Sequence, residues 1–210
     1  PITFSSIYAG EAYNASLEQD GWNKAGFNDA SWKTATVVKG PAGKLMAEQG
    51  YPLKVMNTIP VQSITKTSDS TYLYDFGQNA SGIVHIQVKG KQGQQLKLYP
   101  AELITKDKRA NQKNTGRPFY FSYTLKGKGT EEWEPRFTYY GFRYVEVVNA
   151  APDSASKAAQ PAIVSMEMLH THNANPRIGK FDCSEEHFDN TFSLIDWAIR
   201  SNMQSVVTDC

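Results

Sequence analysis

Strict alternation of apolar and polar residues constrains this chain more than any other feature. In Gly82 to Gly90 (GIVHIQVKG), Val84, Ile86 and Val88 alternate with His85, Gln87 and Lys89. That period of two belongs to a strand with one face in a core and one in water. Phe119 to Lys126 repeats the pattern, placing Phe119, Phe121, Tyr123 and Leu125 on one face. Leu96 and Leu98 mark a further strand, and Phe142 to Val148 and Ala162 to His170 supply two more. Turn sequences such as Lys126-Gly127-Lys128-Gly129 separate neighbours at intervals typical of an antiparallel sandwich. No helical period of useful length interrupts them, which argues against βαβ units and a nucleotide-binding sheet. The expected fold is therefore mainly β, an antiparallel β-sandwich.

The exception is the end of the chain. Phe188, Phe192, Ile195 and Ile199 are spaced four, three and four, predicting an amphipathic helix with Ser184 as N-cap and Glu185 and Glu186 favourable to its dipole. Cys183 and Cys210, the two cysteines, flank that helix. About twenty helical residues span roughly 30 Å, too far for a disulfide, so both are read as free thiols.

The 210 residues suit one or two domains with a proper core. With 22 basic and 21 acidic side chains the net charge is +1, giving no general electrostatic reason to expect nucleic acid or an acidic membrane as partner. No apolar run approaches transmembrane length. The chain begins Pro1-Ile2-Thr3 without a visible signal peptide. Both ends look excised from something longer, leaving the compartment open, with a periplasmic or secreted parent favoured.

Pro1 to Asn57 carries Tyr13, Trp22, Phe27 and Trp32 among turn residues, followed by a Gly-rich connection from Lys39 to Tyr51. Trp22 and Trp32 are expected as core or edge anchors, because large aromatics are mostly buried; sugar stacking is the alternative. Ala150 to Pro161 reads as an exposed linker, and Thr171 to Gly179 as a second connector.

Three phrases carry a resemblance. Tyr74 to Gly82 (YDFGQNASG), Trp133 to Val147 (WEPRFTYYGFRYVEV) and Arg200 to Cys210 (RSNMQSVVTDC) resemble, in order, elements of the bacterial α-L-rhamnosidase family. Ile83 departs from an aromatic common there, and Arg109 to Arg117 follows the family loop only loosely. The phrase containing Gly26-Phe27-Asn28-Asp29-Ala30-Ser31-Trp32 resembles N-terminal jelly-roll modules of glycosidases. The resemblance implies three parts: residues 1–57 as the tail of an N-terminal β-sandwich module, 58–170 as a concanavalin-like sandwich, and 171–210 as a connector and the first helix of a catalytic (α/α)6 barrel. It implies an inverting parent hydrolase acting on terminal L-rhamnose, with the sandwich orienting the barrel. Asp209 matches the first acidic, substrate-contacting position, while the general acid is expected beyond Cys210. This chain alone is expected to be inactive. The implied partners are rhamnose-containing glycans or glycosides, through the full-length enzyme, and the barrel itself. No nucleic acid, membrane or cofactor is implied.

Other candidate groups read mostly as structural. Glu132 and Glu134 would share a strand face, and Glu102 and Asp107 sit in a polar loop; carboxylates on an open face of this kind are usually solvated. Asp75, Gln78 and Asn79 look like a turn whose side chains satisfy the backbone, a domain interface being the second choice. His170 and His172 could point the same way, but lack a matching third ligand, so no metal site is expected. His85 and His187 read as isolated surface residues. Arg136 and Arg143 could stack on Tyr139, Tyr140 or Tyr144, or pair with Glu134 and Glu146. Arg200 and Asn202 could orient the acidic loop that follows. Nucleophile-elbow, P-loop and zincin sequences are absent. The rival functional class is a carbohydrate-binding module with Trp22, Trp32, Tyr120 or Tyr139 as a stacking platform; a structural spacer is preferred.

Overall fold

The computed structural model describes residues 1–113, 118–156 and 159–208. Its architecture is mainly β with one C-terminal helix, as expected. Thirteen strands occur among the described residues: β1 (Ile2–Ser6), β2 (Gly10–Asn14), β3 (Leu53–Pro60), β4 (Ser63–Ser68), β5 (Thr71–Lys89), β6 (Gln95–Ala101), β7 (Leu103–Ile104), β8 (Ala110–Asn111), β9 (Tyr120–Thr124), β10 (Thr130–Trp133), β11 (Tyr140–Val148), β12 (Ala151–Pro152) and β13 (Ala162–Asn173). The helix α1 covers Glu186–Asn202.

Eleven strands belong to one sheet, with a main path β1-β2-β9-β6-β11-β5-β13-β12; β7 and β8 form a separate hairpin. Most pairs are antiparallel, but β2 with β9 and β12 with β13 run parallel, so the sheet is mixed. Strand β5 explains how one sheet encloses a core. Its first half lies between β4 and β11, and its second half between β10 and β13. It thus passes from one set of neighbours to another and curls the sheet around its apolar face. Tyr74, Phe76, Val84, Ile86 and Val88 line that face of β5, against Leu98 of β6, Phe121 and Tyr123 of β9, Trp133 of β10 and Met168 of β13.

The sequence suggested a turn at Asp75 to Gly82; the structure has continuous strand there. Gly77, at φ +76°, bulges the chain, and its N–H donates to Asp75 Oδ1 at 2.7 Å. Between the pairs Phe142–Ala80 and Tyr144–Asp75, β11 advances two residues and β5 five, so β5 carries three extra residues opposite Arg143. The polar phrase is therefore absorbed as a bulge instead of breaking the strand. The Lys126 to Gly129 turn is present, with positive φ at both glycines. The buried Glu131 carboxylate accepts the N–H groups of Lys126 and Gly127 and the Tyr123 hydroxyl.

Other expectations require correction. Ala150 to Pro161 is not wholly an exposed linker: Ala150 and Ala151 are fully buried, and β12 pairs with β13. Thr171, His172 and Asn173 continue β13, held by β3, so the connector starts later. Trp22 and Trp32 are 58% and 46% exposed, so neither is a core anchor, because residues 18–52 form no strand that could cover them. Trp32 is held locally, its indole N–H donating to Gln19 Oε1 and its ring 5.5 Å from Phe27. Cys183 is a free thiol, and Cys210 lies outside the described residues.

Candidate functional site

The polar groups of greatest interest meet where α1 crosses the sheet. The helix begins one residue later than Ser184 would cap it: Glu185 is the N-cap residue and makes no side-chain cap bond. The expected apolar stripe is also not the packing face, since Phe188, Ile195 and Ile199 are each more than half exposed. The inward face runs through Phe192, Asp196, Trp197, Arg200 and Ser201. Trp197 packs against the core, with its ring 5.3 Å from that of His170. Arg200 lies 4.2 Å from the Trp197 ring centroid and pairs with Asp196 at 2.7 Å, one turn earlier. Arg177 approaches the same carboxylate at 3.6 Å. Of the expected stripe only Phe192 lies on this face, because Trp197, next to Asp196, falls outside the four-three-four spacing.

His170 and His172 do point the same way, because β13 persists; both are buried and their rings are 4.9 Å apart. Carbonyl oxygens only accept, so His170 Nδ1 carries the proton and donates to Ser81 O at 2.7 Å. Burial pushes the His170 pKa down, outweighing the opposing effect of that hydrogen bond, with His172 and Arg200 adding to the depression. The ring is neutral, and its Nε2 has no partner among the described residues. His172 Nδ1 donates to Asn173 O at 2.7 Å. No group of three or more His, Cys, Asp or Glu side chains is placed to hold a metal ion among the described residues.

After α1 the chain folds back on itself. Met203 and Val207 form a bridge, and Thr208 donates its N–H and hydroxyl to Asn202 O at 2.9 and 3.2 Å. The Asn202 side chain turns back to Ala198 O, so it is the Asn202 carbonyl, not its amide, that holds the loop. Asn173 N–H donates to Met203 O at 2.8 Å, fastening the loop to the end of β13. Gln204 points inward and is buried. Its amide donates to Thr171 O at 3.0 Å, Ser81 Oγ at 3.3 Å and Ser201 O at 3.4 Å. Ser81 donates its hydroxyl to Thr171 O and its N–H to Ser201 Oγ. Sequence reasoning placed Ser81 in a turn and did not single out Gln204; only its position inside the Arg200–Cys210 phrase hinted at it. Asp209 lies outside the described residues.

The remaining candidates are dispersed. Arg143 grips Asp75 through two bonds, at 2.8 and 3.0 Å, and holds that carboxyl below the usual range. Arg143 also lies over Tyr144, but Glu146 pairs with Arg109 instead. Asn79 donates to Glu102, and Gln78 to Asn79 O. His85 is not isolated, lying 2.9 Å from Glu132 and 3.9 Å from Glu167. His187 is exposed, its ring 4.0 Å from that of Phe188. Glu134 and Asp107 are exposed. Arg136 donates its N–H to the buried Glu11. Tyr120 is half-buried under Lys97, whereas Tyr139 is 41% exposed. Trp22, Trp32, Leu17, Arg136 and Phe137 border an open cleft of about 840 Å³.

Comparison with known proteins accounts for this arrangement. Residues 65–169 match the family described as bacterial alpha-L-rhamnosidase concanavalin-like domain, and residues 1–57 the alpha-L-rhamnosidase N-terminal domain. The whole chain superposes on the alpha-L-rhamnosidase from Dictyoglumus thermophilum, with TM-score 0.90 and 36% identity, covering 23% of that chain. It also superposes on the Streptomyces avermitilis enzyme complexed with L-rhamnose, with TM-score 0.86 and 31% identity, covering 20%. A curated alpha-L-rhamnosidase from Formosa agariphila is 29% identical across the full chain, which matches 22% of that protein. The chain thus spans about a fifth to a quarter of the length of these relatives. With half its length matched by the concanavalin-like model and most of the remainder by the N-terminal one, the chain belongs to the bacterial α-L-rhamnosidase family.

Proposed function

We propose that this chain is a non-catalytic accessory region of an inverting α-L-rhamnosidase, carrying the helix that opens the catalytic barrel and orienting that barrel. The observation that supports it is the junction of Ser81, Thr171 and Gln204, which fixes α1 and its following loop on the sheet by directed hydrogen bonds. In this reading residues 1–57 end an N-terminal module, 58–170 form the concanavalin-like domain, and 171–210 lead into the barrel. Asp209 is a substrate contact, and rhamnose-containing glycans or glycosides reach the enzyme at the barrel. Inversion needs two carboxyl groups about 6.5–9.5 Å apart across the sugar, with room for a water. Asp75, Glu146, Glu132 and Glu131 are instead engaged by Arg143, Arg109, His85 and backbone donors, respectively. The test is release of rhamnose from an aryl α-L-rhamnoside. The longer protein containing this chain should be active with inversion and the 210-residue chain inactive; turnover by the chain alone would overturn the reading.

The exposed Trp22 and Trp32 beside the cleft favour one second reading, a sugar-binding platform. Saturable binding of rhamnosyl oligosaccharides, lost in Trp22→Ala and Trp32→Ala, would support it, and silence would reject it.

A further inference from the structure

Gln204 is a large polar side chain buried where an apolar one would cost less, since an amide taken from water must recover its hydrogen bonds. What it provides is direction. Its amide reaches two elements at once, the Ser81 hydroxyl on β5 and the Thr171 carbonyl on β13, while its backbone N–H is engaged within the loop by Asn202 O and Val206 O. Ser81 is itself fixed from both sides, by the His170 ring on its carbonyl and by Ser201 Oγ on its N–H. The loop from Met203 to Thr208 is closed by its own bonds, and Ser205, Val206, Val207 and Thr208 are all exposed. Gln204 is thus the inward anchor of a self-closed unit, and shifting its amide shifts the unit as a whole.

We propose that Gln204 is a positioning residue: seated on Ser81 and Thr171, it sets where the loop after α1 lies against the sheet, and thereby where the chain continuing from Thr208 enters the catalytic part of the enzyme. The turnover consequence rests on the rhamnosidase reading given above, whereas the structural consequence does not. Two measurements separate them. In hydrogen exchange on the 210-residue chain, Gln204→Ala and the isosteric Gln204→Glu, which removes the amide donor, should each speed exchange at Gln204 and Thr208 at least tenfold. Protection along β5 should be unchanged. In the longer protein, the same substitutions should lower kcat for an aryl α-L-rhamnoside about tenfold with KM within about threefold. The Ser81→Ala change should fall between these variants and the unaltered enzyme. Unchanged exchange in both Gln204 variants would overturn the anchor. Faster exchange with kcat within twofold of the unaltered enzyme would overturn the positioning role. Absence of turnover in the unaltered longer protein would overturn the rhamnosidase reading and the positioning role with it, while the exchange result would still decide the anchor.

Discussion

The imidazole of His170 donates from Nδ1 to the Ser81 carbonyl oxygen at 2.7 Å, a side-chain bond laid across the β5–β13 pairing in which His170 faces Gly82. This fixes the tautomer of a fully buried ring and leaves its other nitrogen without a partner among the described residues. Burial disfavours the protonated ring, and His172 and Arg200 add to that, which is why the folded pKa lies below 6.5 despite the hydrogen bond to Ser81.

Because the folded value is the lower one, the unfolded chain binds the proton first as pH falls. Stability from neutral His170 is complete above about pH 6.5 and is lost as pH descends toward the folded value. Denaturant midpoints should fall between about pH 7 and pH 5 by more in the wild-type chain than in His170→Gln. Equal slopes would show that this ring does not titrate with unfolding.

Glu131 is buried and accepts three donors, from Tyr123, Lys126 and Gly127, thereby closing the turn after β9. Glu131→Ala strands all three and should cost about 3 kcal/mol in urea denaturation. The Tyr123 hydroxyl, held above the ordinary tyrosine range by burial and then by Glu131, should titrate lower in the variant, as read by ultraviolet difference spectra.

A methyl group at Gly82 would lie 2.5 Å from the Leu169 carbonyl oxygen, and that neighbour is backbone that cannot swing aside. Gly82→Ala should therefore separate β5 from β13 locally and destabilise by about 2–3 kcal/mol. Gly93→Ala, with open space around it, provides the comparison: its cost comes only from the positive φ, and a thermal melt should rank it as the milder change.

Trp197 and Ile199 lie two residues apart on α1 but on different faces. Trp197→Ala should release the helix from the sheet, at about 2 kcal/mol, seen as early proteolytic cleavage within 186–202 while the sheet stays protected. Ile199→Ser, at a position 55% exposed, should change the stability of this chain by no more than about 0.5 kcal/mol.

The strands were legible because a period of two survives any choice of neighbour. Val84, Ile86, Val88, Phe121, Tyr123 and Leu125 all face the core as their alternation required. Partner choice was not legible. Asp75 to Ser81 reads locally as a turn, yet continues β5 because Gly77 takes a positive φ and β11 shifts register opposite it. At the candidate site, His170 and His172 were visible as a pair, but Gln204 and Trp197 carry no local signal separating an anchor from surface.

By itself, then, the sequence determined the mainly β class, the core-facing residues, the single C-terminal helix and, through three ordered phrases, the family. The tertiary structure decided that one strand would serve two sets of neighbours, that α1 would turn Trp197 rather than its Phe188–Ile195–Ile199 stripe to the sheet, and that Ser81 would meet Gln204 across 123 residues. Periodicity records which way a side chain points within its own element, whereas the partner it meets depends on how distant elements share buried space and hydrogen bonds.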